Sequence, residues 1–209
     1  VSAEATASTS PEQGWKVDIQ QVATRAKKTG SIAININNIR NGLQIVLNEG
    51  GRNLNLNTKD GRLGQEIEQL IKNADQDRLL FPQAKISSQI RELIIFALSQ
   101  AAEESGLVLY IAETLANKLL VRHNKFGDSA SFSVTSSVAG ILSDDANIAQ
   151  KSESGKNIEG TINDEVTLGE GQLLTTLEGM EAEGITIKYD REFGLINTPI
   201  LNESGELIG

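Results

Sequence analysis

The residues able to do chemistry in this chain are few. His123 is the sole histidine and cysteine is absent. A Ser-His-Asp triad or a histidine metal cluster would therefore have to run through one position. Disulfides, thiolate metal sites and a cysteine nucleophile are excluded. His123 stands in Arg122-His123-Asn124-Lys125, where an apolar alternation ends, and reads as an exposed turn residue. Asp144 and Asp145, with Ser143 and Asn147 nearby, offer oxygen atoms to a hard cation. No EF-hand pattern surrounds them, and two adjacent carboxylates fall short of the oxygen cage that Ca²⁺ prefers. Glu103 and Glu104 close a helical pattern and read as solvated, and nothing in the sequence pairs two carboxylates for acid–base work. A phosphate loop needs a strand before it, a helix after it and a placed lysine; neither Gly169-Glu170-Gly171-Gln172 nor Glu49-Gly50-Gly51-Arg52 has that combination, so both read as turns. Asn202-Glu203-Ser204 has the composition of a glycosylation sequon and nothing else to support it. The sequence points to no catalytic, cofactor-binding or metal-ligating residue, and the expectation is a protein that is not an enzyme.

The elements that position these residues come from an ordinary globular composition. The chain has 209 residues, 39% of them hydrophobic and 22% charged, enough apolar material to bury a core in one large domain or two small ones. Its formal net charge of -9 argues against a phosphate backbone or an anionic membrane as principal partner, since both need a cationic surface. No apolar run approaches the ~20 residues of a membrane span. Val1 to Ser10 is small, polar and weakly acidic, unlike a secretory signal, and Gly205 to Gly209 reads as the start of a further strand. The expectation is therefore a piece of a longer protein.

Residues 1–14 read as an extended lead-in. Period-two alternation predicts strands over Trp15–Val22, Ser31–Ile39, Leu43–Leu47 and Leu54–Thr58, the last two joined by the Glu49–Arg52 turn. The Asn-rich side of residues 35–57 reads as a solvent face, with a polar ladder to a neighbouring subunit as the alternative. The period then becomes helical. Leu63, Ile67, Leu70, Ile71 and Ala74 predict a helix over 62–76, with Asp60 as its cap. Ile86, Ile90, Leu93, Ile94, Ala97, Leu98 and Ala101 form one apolar stripe, predicting a second helix begun by Ser87 or Ser88 and ended by Gly106. Core packing is favoured over partner docking for this stripe, because Gln89, Arg91, Glu92 and Gln100 supply a polar side. Strands are expected again at Leu107–Ala112, Lys118–Arg122 and Ser131–Thr135, a linker at 143–157, and short strands near 160–163, 171–175 and 184–189. This order predicts an α+β fold, mostly antiparallel β. Its β domain is expected from residues 1–42 and 151–209, with a helix-containing α+β domain, 43–150, inserted into it.

Three segments carry a resemblance. The first is Ala5-Thr-Ala-Ser-Thr-Ser-Pro-Glu-Gln-Gly-Trp-Lys-Val-Asp-Ile-Gln-Gln-Val-Ala-Thr24, a small-residue lead-in and a Gly-aromatic strand. The second runs from Ile90 to Val138: a helix ending in Ala101-Ala102, then Ser105-Gly-Leu-Val108, Asn117-Lys-Leu-Leu-Val-Arg122 and Gly127-Asp-Ser-Ala-Ser-Phe-Ser-Val134. The third is Gly155-Lys-Asn-Ile-Glu-Gly-Thr-Ile-Asn163, then Gly169-Glu-Gly-Gln-Leu-Leu-Thr175 and Ala182-Glu-Gly-Ile185. Together they resemble, in order and spacing, the outer domains of the bacterial flagellar filament cap (hook-associated capping) family, the second segment being similar to the flagellin IN motif. Ile158 and Asp164 stand where that family more usually has Val and Gly, residues 77–85 look expanded, and 189–199 look inserted. The family's helical leg has no counterpart here.

The resemblance implies a structural assembly factor: a homo-oligomeric plate at the distal tip of the filament, exported by the flagellar secretion system. It would shelter new flagellin subunits while they fold and insert. The implied partners are copies of itself and flagellin, with a host surface or mucin as a further one. The same residues leave two alternatives open, the variable outer region of a flagellin and an adhesion module on the flagellar tip.

Overall fold

In the computed structural model, which describes residues 2–5, 14–77 and 79–190, the chain begins with β1 (Ser2–Ala5), β2 (Val17–Gln21) and β3 (Arg25–Ala33), followed by the single turn α1 (Ile36–Ile39). The hairpin β4 (Gln44–Glu49) and β5 (Arg52–Asn57) precedes the helices α2 (Gly61–Gln76) and α3 (Gln83–Glu104). Then come β6 (Leu109–Glu113), β7 (Lys118–Phe126), β8 (Ser133–Ser136) and the short β9 (Gln150–Lys151). The chain closes with β10 (Glu159–Ile162), β11 (Glu165–Glu170), β12 (Leu173–Thr176) and β13 (Ile185–Lys188). Every named strand pairing is antiparallel, so the fold is α+β and mostly antiparallel. Most of the expected lead-in, the expected insertion beyond Asp190, the sequon at Asn202 and the terminal strand lie outside the described residues.

The chain divides into two units, one from both ends (residues 1–24 and 156–209) and one continuous (residues 25–155). The first unit is a six-stranded sheet in the order β1-β13-β12-β11-β10-β2. Its inner face buries Ile158, Ile162, Leu174, Ile185 and Ile187. The second unit holds a three-stranded sheet, β3-β7-β6, and a four-stranded sheet, β5-β4-β8-β9. Its core joins Ile45, Leu47, Ile86, Ile90, Ile94, Leu98, Val121 and Ile141, all of them essentially inaccessible to solvent.

The expected boundary at residue 42 moves to 24. Residues 25–42 belong with the second unit because β3 pairs with β7 and α1 buries Ile36 and Ile39. The other boundary moves from 151 to 156. There β9 pairs with β8, and Glu153 exchanges backbone hydrogen bonds with Lys27, N to O 3.2 and 2.8 Å.

Local chemistry explains where the sequence pattern and the fold part company. The strand expected over Ser31–Ile39 stops at Ala33, because Asn35 and Asn38 build a reciprocal capping box that starts α1. A period-two reading cannot see that competing set of side-chain bonds. Ile32 is consequently 40% exposed while Ile34 and Ile36 are buried. The expected linker at 143–157 is ordered: Ser143 is buried, its hydroxyl 3.0 Å from that of Ser136, and the serines supply partners for nearby backbone N–H groups. α3 starts at Pro82 rather than at a serine, and the Ser87 hydroxyl instead accepts the Ile36 N–H at 3.2 Å. The β4–β5 turn follows expectation. Gly50 and Gly51 have φ of 57° and 80°, the positive pair that a two-residue hairpin turn requires.

In the first unit, Gly169 on β11 lies where a Cβ would sit 1.7 Å from the Ile158 carbonyl oxygen. Backbone has to move to admit a methyl there. Gly169→Ala is expected to destabilise the first unit by about 2 kcal/mol or more while sparing the second. Amide hydrogen exchange resolved by segment checks this: accelerated exchange in β10–β13 and unchanged exchange in α3.

Candidate functional site

His123 is not in an exposed turn. β7 continues four residues past Arg122, and His123 keeps the inward parity of Leu119 and Val121, with only 3% of its surface exposed. Its Nε2 lies 2.8 Å from Glu49 Oε1, and its Nδ1 accepts the Lys125 N–H at 2.9 Å. With Nδ1 occupied as an acceptor, the neutral ring carries its proton on Nε2 and donates it to Glu49. The other Glu49 oxygen accepts the Val108 N–H at 2.6 Å, and Arg52 NH1 donates to the Gly106 carbonyl. The arrangement locks the β4–β5 hairpin to the start of the β6–β7 hairpin. It has no open position from which the imidazole could move a proton to a substrate. Glu49→Gln keeps the shape but presents an amide donor to one of two donors. The expected loss is about 1–3 kcal/mol, read from the midpoint of denaturant unfolding.

The oxygen-rich loop at 143–147 is likewise committed to structure. Asp144 accepts hydrogen bonds from the Gln150 amide and, at 3.2 Å, from Lys28 Nζ. Those two contacts, Gln150 first, hold its carboxyl below the usual carboxylate range. Asp145 offers its backbone carbonyl to Ser143 Oγ at 2.8 Å. Asn147 sits in the left-handed region at φ 61° and donates its N–H to the Ser136 carbonyl. The oxygens do not converge, and no cluster of three or more His, Asp or Glu is found among the described residues. Glu103 and Glu104 are exposed at the end of α3, and Glu104 is bonded by Gln100 of the preceding turn.

Arg91, expected on the solvated side of α3, is 9% exposed. Its Nε donates to Glu113 on β6 at 2.7 Å and its NH1 to the Ile34 carbonyl at 3.1 Å. Four of the seven stripe residues are core, Ile86, Ile90, Ile94 and Leu98 being each 0–1% exposed, while Leu93, Ala97 and Ala101 are half-buried. At the stripe's edge Leu93, with Leu70 and Phe96 outside it, lines an open groove of about 550 Å³ edged by Glu66 and Glu92.

What this architecture presents to solvent is three sheet faces of different character. On β4 and β5 the outward residues Gln44, Asn48, Asn53 and Asn55 form a polar face, with Gln44 bonded to Asn55 at 3.0 Å. On the β3-β7-β6 sheet the outward positions are Arg25, Lys27 and Thr29, Lys118, Leu120, Arg122 and Phe126, with Tyr110 and Ala112. Arg25 lies over the Phe126 ring at 4.0 Å and Arg122 over Tyr110 at 5.1 Å. On the first unit's sheet the outward positions of β11 and β12 carry Val166, Leu168 and Leu173, exposed at 66%, 60% and 42%, with Leu177 just past β12 exposed at 39%. These last two faces were written in the sequence only as strand parity. Arg25 and Lys27, and Leu120 and Arg122, repeat at i, i+2, opposite the buried positions of each alternation.

No family model matches this chain, and no curated protein matches it. Among solved structures, the D2-D3 domains of the flagellar cap protein FliD from Serratia marcescens share 10% identity with it, covering 90% of each chain at a TM-score of 0.49. The D2-D3 domains of FliD from Escherichia coli share 13% identity over 92% of this chain and 94% of theirs, TM-score 0.44. The D1-D2-D3 domains from Escherichia coli share 13% over 88% of this chain and 47% of theirs, TM-score 0.43. Similarity at this level carries no conclusion about function.

Proposed function

We propose that this chain is the outer, two-unit part of a flagellar filament cap protein, a structural assembly factor with no catalytic role of its own. The observation that carries the reading is the agreement between motif order and element order. The segment resembling the IN motif runs as a helix, a hairpin and a further strand, α3, β6–β7 and β8. It lies inside a unit bracketed by the two chain segments that carry the other resemblances. The third segment, from Gly155 to Ile185, maps onto the meander β10 to β13. The chemistry-bearing residues support the same reading, because His123, Glu49, Arg91 and Asp144 are spent on holding strands and loops together. In this role the whole protein sits at the distal filament tip as a homo-oligomer, reaches it by flagellar export, and shelters flagellin as it folds and polymerises.

A closed plate needs two different, mutually matching patches on each subunit, and the family's helical leg would add to that contact. The 209-residue chain alone is expected to be a monomer or a weak oligomer at micromolar concentration. The longer chain with the leg restored should form a discrete higher oligomer by light scattering and return filament growth to a cap-less strain. A full-length protein that stays monomeric at tens of micromolar and restores no growth removes the reading.

A further inference from the structure

We propose that the outward face of the β3-β7-β6 sheet docks onto the outward face of the β11–β12 strands of a second copy of this chain, head to tail. The inference deepens the assembly reading, and rests on it for its biological setting, by naming the two surfaces that meet. Three large aliphatic side chains, Val166, Leu168 and Leu173, stand on one face of two adjacent strands, 42–66% exposed, and Leu177, 39% exposed, follows directly after β12. Singly such residues are ordinary surface, but a contiguous patch marks an interaction site. Across the same face the cross-strand neighbours are Thr161, Thr175 and Thr186, small and able to pack. The charges at its margin are mostly acidic: Asp18 beside Thr161, Glu159 and Glu170, against Lys188, which Asp190 neutralises at 2.9 Å, and Lys16 near Asp18, which Asp164 neutralises at 2.6 Å.

The other face is its complement. Tyr110, 48% exposed, and the half-buried Leu120 and Phe126 supply apolar and aromatic surface with Arg25 and Arg122 stacked on the two rings, and Arg25, Lys27, Lys118 and Arg122 supply positive charge in a chain of net charge -9. The carboxylates at its margin are Glu153, a loose 3.8 Å from Lys27, and Asp128, two residues past Phe126. Two antiparallel sheet faces, each with an apolar centre and with rims of opposite sign, meet the requirements for aligned face-to-face packing and for charge-selected register. Because the two faces differ, the contact is heterologous. Neither face is used up by docking to itself, and repeated contacts run on into a ring or a row. Aromatic and arginine residues on one side are the usual energetic anchors of such a contact.

The test uses the exposed Lys27, Asp18, Leu168 and Glu170 and the half-buried Lys118, none of them in the core, so that folding is preserved. One variant carries Lys27→Glu with Lys118→Glu; the other carries Asp18→Lys with Glu170→Lys. Sedimentation velocity at low salt (~20 mM, where surface charges are weakly screened) is expected to show concentration-dependent association of the 209-residue chain that fades as salt rises. Each double variant should weaken it roughly tenfold or more. Mixing the two variants should bring association back, because the face left unaltered in each matches the face left unaltered in the other, and the two reversed faces match as well. Leu168→Gln, which leaves every charge in place, should weaken it as well. Unchanged circular dichroism and melting temperature establish that each variant is folded. No association of the wild-type chain at hundreds of micromolar, association indifferent to both swaps, or no recovery on mixing would each overturn the proposal. So would association that begins only when residues 191–209 are deleted, since the occupant would then be the chain's own tail. In the full-length protein, wild type that restores filament growth together with variants that do so equally well removes this interface and leaves the assembly reading standing. Failure of the wild type removes the assembly reading itself.

Discussion

Ile94→Asp is expected to leave the second unit largely unfolded at room temperature. Ile94 lies in the middle of α3 with none of its surface exposed, in the cluster that joins both helices to both sheets of its unit. An aspartate there must either bury an unpaired carboxylate or take up a proton to avoid doing so. It also gives up the ~1.5–3 kcal/mol that full burial of an isoleucine contributes. Together these cost several kcal/mol, against a total stability of ~5–15 kcal/mol for an ordinary domain. Phe96→Asp, two residues on and at a position 69% exposed, should change stability by less than ~1 kcal/mol. Ile94→Val, which removes one methylene, should fall between them at about 0.5–1.5 kcal/mol. Loss of helical circular dichroism in the first variant and its retention in the others is the expected result. Equal effects at 94 and 96 would mean that the stripe is not the core.

The parts of this architecture that are legible in sequence are those set by side-chain period. α2 and α3 follow from apolar residues at helical spacing, and β2, β4, β5, β7 and β10 from alternation, because burying one face of an element imposes that pattern directly. The misreadings share a different cause. His123 was hidden because Arg122, Asn124 and Lys125 surround it with polarity, although its parity with Leu119 and Val121 already pointed inward. Its partner, Glu49, is 74 residues away, so no local window contains the pair. The loop at 143–147 looks solvated because it is rich in serine and aspartate, yet Ser136 and Ser143 are there to satisfy buried backbone groups. α1 escaped because a capping box between Asn35 and Asn38 outcompetes the isoleucine alternation that runs through it. The apolar outward face of β11 and β12 escaped for the opposite reason. Val166 and Leu168 alternate like core residues while the structure turns them to solvent.

Arg91 is the position where the same period, read with polar residues included, gives a different energetic forecast. Ser87, Arg91, Ile94, Leu98 and Ala102 recur at helical spacing and all are buried. Arg91 is thus inside the stripe's edge and not on the solvated side with Gln89 and Glu92. It ties α3 to two other segments at once, through its 2.7 Å bond to Glu113 on β6 and its 3.1 Å bond to the carbonyl of Ile34, which precedes α1. The Glu113 side chain is only 25% exposed, so removing the guanidinium strands a carboxylate with limited access to water and a carbonyl that loses this donor. Arg91→Asp is expected to cost about 3–5 kcal/mol, since it also sets like charge against Glu113. Arg91→Lys keeps the charge but not the planar fork that reaches both acceptors, and should cost less, about 1–3 kcal/mol. The double variant Arg91→Met with Glu113→Leu removes both charges. It should recover most of the loss, as replacing both partners of a buried pair by apolar side chains commonly does. A thermodynamic cycle built from urea unfolding of these variants reads the coupling directly. Were Arg91→Asp to shift stability by less than ~1 kcal/mol, the side chain would have to lie in water, and the tie between α3, β6 and the start of α1 would not exist.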